Sequence, residues 1–532
     1  MTRVTSHRAR SRRAATLLIA TALAAPLLAT APAHAADSGT PASTLSWGPC
    51  LQPALADDGF QCTTLKVPLD RRDPKAGTVT LALTRRPASG TPDQRIGSLV
   101  FNPGGPGGSG LDSAPFTWDA LPDDVKARFD LVTWDPRGVG VSTPALRNCV
   151  QPIPVRPLTG PVDWNAVAST FSATLARANA ACQARNATIA PHLGTNENVA
   201  DLDRIRAALG DDKLTYWGMS YGTRIGYVYA LKHPDRVRAM VLDGSIDPDG
   251  SILGLVEGGS APDQSFGSVT QAYPLVGDQL NAVLARLNRR TVPLPDRQVL
   301  DRWVMLDAIS QIVPQQEGYA AIGGFVNLAY TALYGTGDAQ QQARADLATV
   351  VASLRKARSN GGNAGSVFSL VNCLDYADRP TLARLSESIQ SQHRLGPLFG
   401  GTLATEYAVG CSGLSVKPDP IPRITGSGSP VPVLILGASR DGATSVQWTA
   451  RMSRAFPASR TVTYAGGQHV TWAFARSWCV DYVADAYVMD LELPRADVGC
   501  PNVYAPDDAP AGGDAPAGGD APAGGDASTT GG

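Results

Sequence analysis

The chain has 532 residues, of which 43% are hydrophobic and 17% are charged, and its formal net charge at pH 7 is -1. A chain of this length can bury a large core, and we expect one domain that carries an insertion rather than two unrelated domains. The near-neutral charge gives no electrostatic reason to expect binding to nucleic acid or to an acidic membrane surface.

The first 35 residues have the pattern of an export signal. Arginines at the start precede an Ala/Leu-rich run at 14–31, and the Ala-His-Ala sequence at 33–35 offers the small residues that signal peptidase accepts. We predict a secreted protein whose signal peptide, residues 1–35, is removed and which has no membrane anchor. The pair Arg12-Arg13 is only a partial twin-arginine pattern, so the sequence leaves the export route open.

Residues 36–248 are predicted to form the first part of an α/β core. The alternation of Val79, Leu81 and Leu83 indicates a strand. Further strands are predicted at 97–101, at 129–134, in the apolar stretch from Lys213 and at 237–242, with an amphipathic helix at 198–209. This strand–helix–strand order is typical of a parallel sheet.

The predicted strand at 97–101 runs directly into a glycine-rich loop, Asn102–Gly110. Backbone N–H groups approach a substrate closely only where no side chain intervenes, and acyl transfer needs such donors because negative charge develops on the carbonyl oxygen. A phosphate-binding loop is the alternative, but the loop has neither the Gly-Lys-Ser/Thr ending nor the G-x-G-x-x-G pattern. We therefore expect an oxyanion hole here, and no cofactor.

The stretch Gly218-Met219-Ser220-Tyr221-Gly222 fits the G-x-S-x-G nucleophile elbow, in which a strained turn between a strand and a helix exposes the serine hydroxyl. An apolar stretch precedes it, and apolar residues follow at helical spacing until His233-Pro234. This context favours an elbow over the alternative of a glycine-rich surface turn. Ser220 is the predicted nucleophile. The predicted oxyanion donors are the N–H of Tyr221 and a loop N–H, with Gly105 as the first candidate and Gly104 as the second.

Residues 249–428 interrupt the alternation of strands and helices, and we predict that they form an inserted helical cap over the end of the sheet. Helices are predicted at 303–313, 319–333, 339–358 and 382–393. The alternation resumes in the second part of the core, 429–504, where strands are predicted at 431–436 and 461–464.

A serine hydroxyl becomes a strong nucleophile only when a base takes its proton, and a third group must orient that base. Of the six histidines, His469 follows the last apolar strand of the core, in a loop that can reach Ser220. Asp441, directly after the strand at 431–436, is the first choice for the acid, and Asp247 is the alternative. The chain order Ser220, Asp441, His469 is one of the known orders of serine-hydrolase triads.

Eight cysteines lie beyond the predicted cleavage site, and this even number fits disulfide bonding in an oxidising compartment. Eight cysteines allow on the order of a hundred pairings, so the sequence alone does not fix the connectivity. Proximity in sequence favours Cys50 with Cys62, Cys149 with Cys182, Cys373 with Cys411, and Cys479 with Cys500. No paired C-x-x-C spacing occurs, so we expect no metal site.

Residues 505–532 lack bulky apolar side chains and repeat Asp-Ala-Pro-Ala-Gly-Gly three times between Asp508 and Gly525. This composition predicts a disordered spacer.

With these motifs placed, the chain resembles the prolyl-iminopeptidase-like alpha/beta-hydrolases, and especially the secreted bacterial tripeptidyl aminopeptidases. The motifs that carry the resemblance span most of the predicted mature chain: Trp47 and Cys50, 67–70, Asn102–Gly110, Asp135–Ser142, Tyr216–Thr223, Cys373-Leu374-Asp375, Asp441 and His469. The resemblance implies an alpha/beta-hydrolase fold, with a mostly parallel sheet and an inserted helical cap. It also implies a serine exopeptidase that releases short units, first of all tripeptides, from the free N-terminus of peptides.

Three other functions remain open at this point. A carboxylesterase or a prolyl aminopeptidase could use the same triad, because the triad does not choose between ester and amide bonds. A non-catalytic secreted binding protein could keep the fold, but the complete triad disfavours it.

An exopeptidase must also recognise a free α-ammonium group. A carboxylate in a water-poor pocket does this through a charge-assisted hydrogen bond that an acetylated terminus cannot make. Asp375, beside Cys373, is the first candidate, and Glu257 near the start of the cap is the second. The alternative is that both are solvated surface carboxylates, as acidic residues usually are.

Overall fold

A ten-stranded sheet forms the centre of the part of the chain that the computed structural model describes, residues 45–149, 151–359, 363–424 and 428–503. The predicted signal peptide and the predicted tail lie outside these residues. The strands are β1 (Gly48–Pro49), β2 (Gln61–Asp70), β3 (Asp73–Arg86), β4 (Gly97–Asn102), β5 (Phe129–Trp134), β6 (Leu214–Met219), β7 (Val237–Asp243), β8 (Val292–Pro293), β9 (Val299–Leu300), β10 (Leu434–Ala438), β11 (Arg460–Tyr464) and β12 (Val498–Cys500).

The strand order in the sheet is β1-β2-β3-β5-β4-β6-β7-β10-β11-β12, and β8 and β9 form a separate two-stranded ribbon. The pairs from β1 to β5 are antiparallel, and all pairs from β5 onward to β12 are parallel. The predicted mostly parallel sheet is therefore confirmed. The carboxyl ends of β4, β6, β7 and β10 meet at one edge, which is where open parallel sheets place their functional loops.

The central strands are buried on both faces, which explains why their sequences are nearly continuous apolar runs. All six residues of β4 are buried, as are all six of β5 and of β6. Successive side chains point to opposite faces: Leu99 and Phe101 pack in the core on one side of the sheet, and Val100 packs in the core on the other.

Helices cover both faces of the sheet and fill the interval between β7 and β10. They are α1 (Pro53–Asp57), α2 (Gly110–Ala120), α3 (Asp123–Arg128), α4 (Trp164–Arg185), α5 (Thr195–Leu209), α6 (Tyr221–Lys232), α7 (Ile252–Val256), α8 (Ala261–Ala272), α9 (Pro274–Leu287), α10 (Arg302–Ile312), α11 (Tyr319–Tyr334), α12 (Gly337–Ser359), α13 (Ala364–Asp375), α14 (Leu382–Leu395), α15 (Gly400–Val409), α16 (Val446–Ala455) and α17 (Trp478–Asp490).

Helices α7 to α15 all lie between β7 and β10 in the chain, and we call this stretch the helical segment. Its helices follow from local sequence. In α9, for example, a proline occupies the first turn and the buried residues Val276, Leu280, Val283 and Leu287 recur at helical spacing. The described residues belong to one compact unit, so the boundaries of the cap at 249 and 428 stay predictions.

Four disulfides join Cys50 to Cys62, Cys149 to Cys182, Cys373 to Cys411, and Cys479 to Cys500. This is the pairing that proximity in sequence favoured. Among the described residues, no helix combines the length and the apolar character needed to cross a bilayer.

Candidate active site

Ser220 lies at the junction of β6 and α6, in a backbone conformation that costs energy. Its φ of 54° and ψ of -120° are rarely adopted by residues other than glycine, and such strain at a sharp turn is typical of a nucleophile elbow. A Cβ on Gly218 would collide with the carbonyl oxygen of Gly222, and a Cβ on Gly222 would lie 2.6 Å from the Asn102 carbonyl oxygen. Both flanking glycines are therefore needed for this turn.

The glycine-rich loop after β4 lies directly against the elbow. A Cβ on Gly104 would lie 2.5 Å from the Met219 carbonyl oxygen and 3.0 Å from the Tyr221 nitrogen. The N–H of Gly104 donates to Asn102 Oδ1 at 3.0 Å. That N–H is therefore already used inside the loop, and Gly105, the first candidate, stays a prediction as the loop donor to an oxyanion.

The predicted acid and base lie in contact. The Nδ1 atom of His469 lies 2.9 Å from Asp441 Oδ2 and 3.0 Å from Asp441 Oδ1. Asp441 is buried, and its carboxylate also accepts from the backbone N–H groups of Ala443 and Thr444 and from the Thr444 hydroxyl. With Nδ1–H donating to the carboxylate, Nε2 is the nitrogen left to accept a proton.

His469 lies beside the carboxyl end of β7, to which the backbone of Ser220 is hydrogen-bonded. The N–H of Ser220 donates to the Asp243 carbonyl oxygen at 2.8 Å, and a Cβ on the next residue, Gly244, would lie 2.9 Å from His469 Cε1. The helical segment holds the histidine from the other side, because the N–H of His469 donates to the Pro314 carbonyl oxygen at 2.7 Å. The structure thus brings the elbow, the histidine and its acid to one edge of the sheet.

Burial disfavours the charged imidazolium, but the pKa of His469 is nevertheless raised from its usual 6.5. The charge of Asp441, its hydrogen bond to the ring and the charge of Asp243 outweigh the burial. The ring is thus held where it can take up a proton readily.

Asp243, the last residue of β7, is a neighbour of the site that sequence reasoning missed. Its carboxylate accepts from the N–H groups of Thr471 and Trp472, just after His469 in the chain. An acidic residue at the carboxyl end of the strand next to the elbow was the signal that could have found it.

Asp247, the alternative acid, contacts residues other than His469. Its carboxylate pairs with Arg451 and accepts from the N–H of Asp249. Glu257, the second candidate for amine binding, is the other partner of Arg451, at 3.2 Å, and its side chain is 52% exposed.

Asp375 does not fit the role of an amine anchor. It is buried, and its two oxygens accept from the N–H and hydroxyl of Thr195 and from the guanidinium of Arg224, at 2.6 to 3.0 Å. The hydroxyls of Thr195 and Tyr221 lie 2.8 Å apart. A carboxylate whose oxygens are all engaged inside the protein has none free for a substrate ammonium, and these contacts instead join α13 to α5 and α6.

One group of side chains within the described residues has the composition of a metal site. Ligand atoms of Asp70, His192 and Glu197 lie within 4.8 Å of one another. However, Arg71 donates to Glu197 at 2.7 Å and Arg72 donates to Asp70 at 3.1 Å. These guanidinium groups already supply the positive charge that a cation would bring.

Residues 97–473 match the family model for the alpha/beta hydrolase fold. Serine protease Hip1 of Mycobacterium tuberculosis is 30% identical over 86% of this chain and 91% of its own length. The tripeptidyl aminopeptidase of Streptomyces lividans is 31% identical over 89% of this chain and 88% of its own length. Carboxylesterase B of Mycobacterium tuberculosis is 29% identical over 90% of this chain and 95% of its own length.

Proposed function

Because the chain belongs to the alpha/beta-hydrolase family and is a serine hydrolase of the peptidase type, we propose that it releases short units, first of all tripeptides, from the free N-terminus of peptides. The proposal is carried by one observation: His469 contacts Asp441 beside the carboxyl end of β7, and the N–H of Ser220 is hydrogen-bonded to the same strand end. The similarity to a tripeptidyl aminopeptidase supports the size of the released unit.

In the proposed reaction, Ser220 Oγ attacks the carbonyl carbon of the scissile peptide bond while His469 Nε2 takes the hydroxyl proton. Asp441 holds the imidazole in the tautomer that leaves Nε2 free and stabilises the imidazolium that forms. The N–H groups of Gly105 and Tyr221 donate to the developing oxyanion.

Collapse of the tetrahedral intermediate breaks the C–N bond, and the imidazolium returns its proton to the leaving amine. The N-terminal unit stays bound to Ser220 as an ester. A water molecule, deprotonated by His469, then attacks the carbonyl carbon of this ester. The bond between that carbon and Ser220 Oγ breaks, the imidazolium returns its proton to Oγ, and the peptide unit leaves with a free carboxylate.

Glu257 is the proposed anchor for the substrate ammonium. Its side chain is 52% exposed and contacts Arg451 at 3.2 Å, so a carboxylate oxygen is still open to a ligand. It lies just after α7, at the beginning of the helical segment. An ammonium bound there would limit how much peptide can precede the scissile bond.

We also propose that the protein acts outside the cytoplasm. Four disulfides among the described residues support this location, because such bonds persist in oxidising compartments. The export signal predicted at 1–35 agrees with it.

The second candidate is a carboxylesterase, which the similarity to carboxylesterase B favours. The test compares a tripeptidyl anilide, its N-acetylated form and a short acyl ester as substrates. We expect rapid cleavage of the free anilide, loss of cleavage on acetylation, and no turnover of any substrate by Ser220→Ala. Equal cleavage of the free and acetylated anilides would contradict exopeptidase action, and turnover of the ester alone would establish the esterase.

The anchor is tested on the same substrates. Glu257→Gln should raise KM for the free anilide at least tenfold, since loss of one charge-assisted contact costs about 1.5–3 kcal/mol, and should leave the ester unaffected. Glu387→Gln on α14, another exposed glutamate of the helical segment, is the matched control and should match the wild type. An unchanged KM in Glu257→Gln would exclude this residue as the anchor.

A further inference from the structure

Asp243 occupies the point where the strands of the site meet. In the sheet it is paired in register with Met219 of β6 on one side and with Leu436 of β10 on the other. Its carbonyl oxygen accepts from the N–H of Ser220. The backbone of this one residue is therefore bound to the elbow and adjoins the strand that leads to Asp441.

The side chain of Asp243 holds the loop that carries His469. It is 0% exposed, and its oxygens accept from the N–H of Thr471 and the N–H of Trp472 at 2.9 Å and from the Thr471 hydroxyl at 3.1 Å. These partners are N–H and O–H donors. A buried carboxylate that faces several donors is stabilised in its ionised form, which is the form that carries a charge toward the histidine.

We propose that Asp243 is a positioning residue for the reaction: its ionised carboxylate fixes the loop behind His469, and its charge stabilises the imidazolium that forms when Ser220 attacks. This inference rests on the proposed role of Ser220, Asp441 and His469. It assigns the protein a second carboxylate that acts on the histidine, from the end of β7, whereas Asp441 acts from the loop after the neighbouring strand β10.

The charges around His469 and Asp243 support this assignment. Within the described part of the chain, the ionisable groups that act on His469 are Asp441, from the loop after β10, and Asp243, from β7. Both raise the pKa of the imidazole against the effect of burial. Burial raises the pKa of Asp243 to about 6, although its hydrogen bonds and the charge of His469 oppose that rise. Asp243 is therefore ionised at neutral pH and loses its charge only as the pH falls through about 6.

Other carboxylates contact the same loop without acting on His469, and they provide a matched control. Asp481 accepts from the N–H of Ala473 at 2.9 Å. Asp481→Asn keeps an oxygen acceptor for this N–H and removes a charge on α17 that contacts the same loop. It therefore separates a general effect of loop charge from the specific effect of Asp243.

The test measures the protonation of His469 directly, by NMR of ¹⁵N-histidine-labelled protein, with the resonance assigned by its loss in His469→Ala. We expect Asp243→Asn to lower the pKa of His469 by about one unit, the lower end of the shift produced by a nearby opposite charge. The acid limb of the kcat/KM profile should move to lower pH by the same amount. The plateau value of kcat should fall roughly tenfold, with KM nearly unchanged.

Asp481→Asn should leave the pKa of His469 and the acid limb at their wild-type values. A folded Asp243→Asn protein with the wild-type His469 pKa would overturn the proposal. If Asp243→Asn does not fold, the reciprocal measurement decides: the carboxyl resonance of Asp243, followed by ¹³C NMR, should titrate at higher pH in His469→Ala than in the wild type, and an unchanged titration would overturn the proposal. The NMR titration does not depend on the substrate, so failure of the peptidase assignment would be seen separately, in the comparison of free and acetylated peptides.

Discussion

In the proposed reaction, the imidazole of His469 must be neutral before it can accept a proton from Ser220. Burial disfavours its charged form, but Asp441 and Asp243 together raise its pKa above the usual 6.5. A raised pKa means that the ring stays protonated, and unable to act as a base, up to a higher pH. At the scale of single residues, the two carboxylates proposed to stabilise the imidazolium in the transition state should thus restrict activity at low pH.

We expect kcat/KM to rise with pH through an apparent pKa above 6.5. Asp441→Asn should lower this pKa and also reduce kcat by about four orders of magnitude, because the imidazole loses its orientation and its tautomer. Rates measured between about pH 5 and 9, a range that covers the titration of a histidine, check the change in pKa and the change in kcat. His393→Ala on α14, which removes a histidine whose ring centre lies 5.4 Å from that of Trp164, should keep the wild-type profile.

At the scale of elements, the site depends on a close approach between the loop after β4 and the elbow between β6 and α6. Gly104 has a φ of 93°, which favours glycine, and its α-carbon faces the elbow so closely that any side chain would push the two apart. The proposed oxyanion donors lie on these two elements, so the separation of the elements decides how well the donors converge.

Gly104→Ala is expected to lower kcat by about two to three orders of magnitude, because that is the cost of losing one oxyanion donor. KM should change little. Gly160→Ala is the matched control, because Gly160 also has a positive φ, 74°, but no atom lies within 4 Å of the position that a Cβ would take there. The control should lose about 1–2 kcal/mol of stability and keep its kcat. Equal kcat values in the two variants would contradict the close-approach argument.

A second element-level contact joins α13 of the helical segment to α6, which begins at the elbow. Arg224 donates to Asp375 Oδ2 at 3.0 Å and to Asn372 Oδ1 at 2.8 Å, and its guanidinium lies 4.7 Å from the centre of the Tyr376 ring. Both charged groups are almost fully buried. Such a pair is costly to break, because the remaining partner is left as an unpaired buried charge.

Asp375→Ala should therefore destabilise the protein by about 3–5 kcal/mol, measured by denaturant unfolding. The paired replacement Arg224→Met with Asp375→Leu should restore part of this loss, because no charge is then left without a partner. A substrate-binding carboxylate would behave differently. If Asp375→Ala raised KM for free peptides at unchanged stability, Asp375 would again be the candidate anchor for the substrate ammonium.

At the scale of the whole molecule, the four disulfides are spread along the chain and each closes a local loop. The sequence separations are 12, 33, 38 and 21 residues. One bond ties the residue after β1 to β2, another lies within the helical segment, and the last joins α17 to β12 at the edge of the sheet. A cross-link of this kind limits the freedom of the unfolded chain more than that of the folded one.

Reduction should accordingly lower the melting temperature, since each loop of this length contributes about 3 kcal/mol. Thermal unfolding with and without reductant measures the change. In the native, non-reduced protein, thiol titration should find no free cysteine. Eight reactive thiols in that titration would show that the bonds do not form.

The sequence by itself determined what depends on near neighbours in the chain. The elbow could be predicted because Gly218, Ser220 and Gly222 must be adjacent for the strained turn to form. Proximity in sequence favoured the disulfide pairs without fixing them, because nearby cysteines are the easiest to join. The sheet could be predicted because its central strands are apolar throughout. The contact of His469 with Asp441 followed from chain order, since each follows one of two neighbouring strands.

Only the tertiary structure decided what each remaining carboxylate does. Asp375 looked available in the sequence, but Arg224, 151 residues away, occupies it. Asp243 looked like an ordinary strand end, but folding places it against the loop that follows His469, where its partner Thr471 lies 228 residues later in the chain. The physical reason is that the role of a buried carboxylate depends on the donors that surround it, and packing brings those donors from distant parts of the chain.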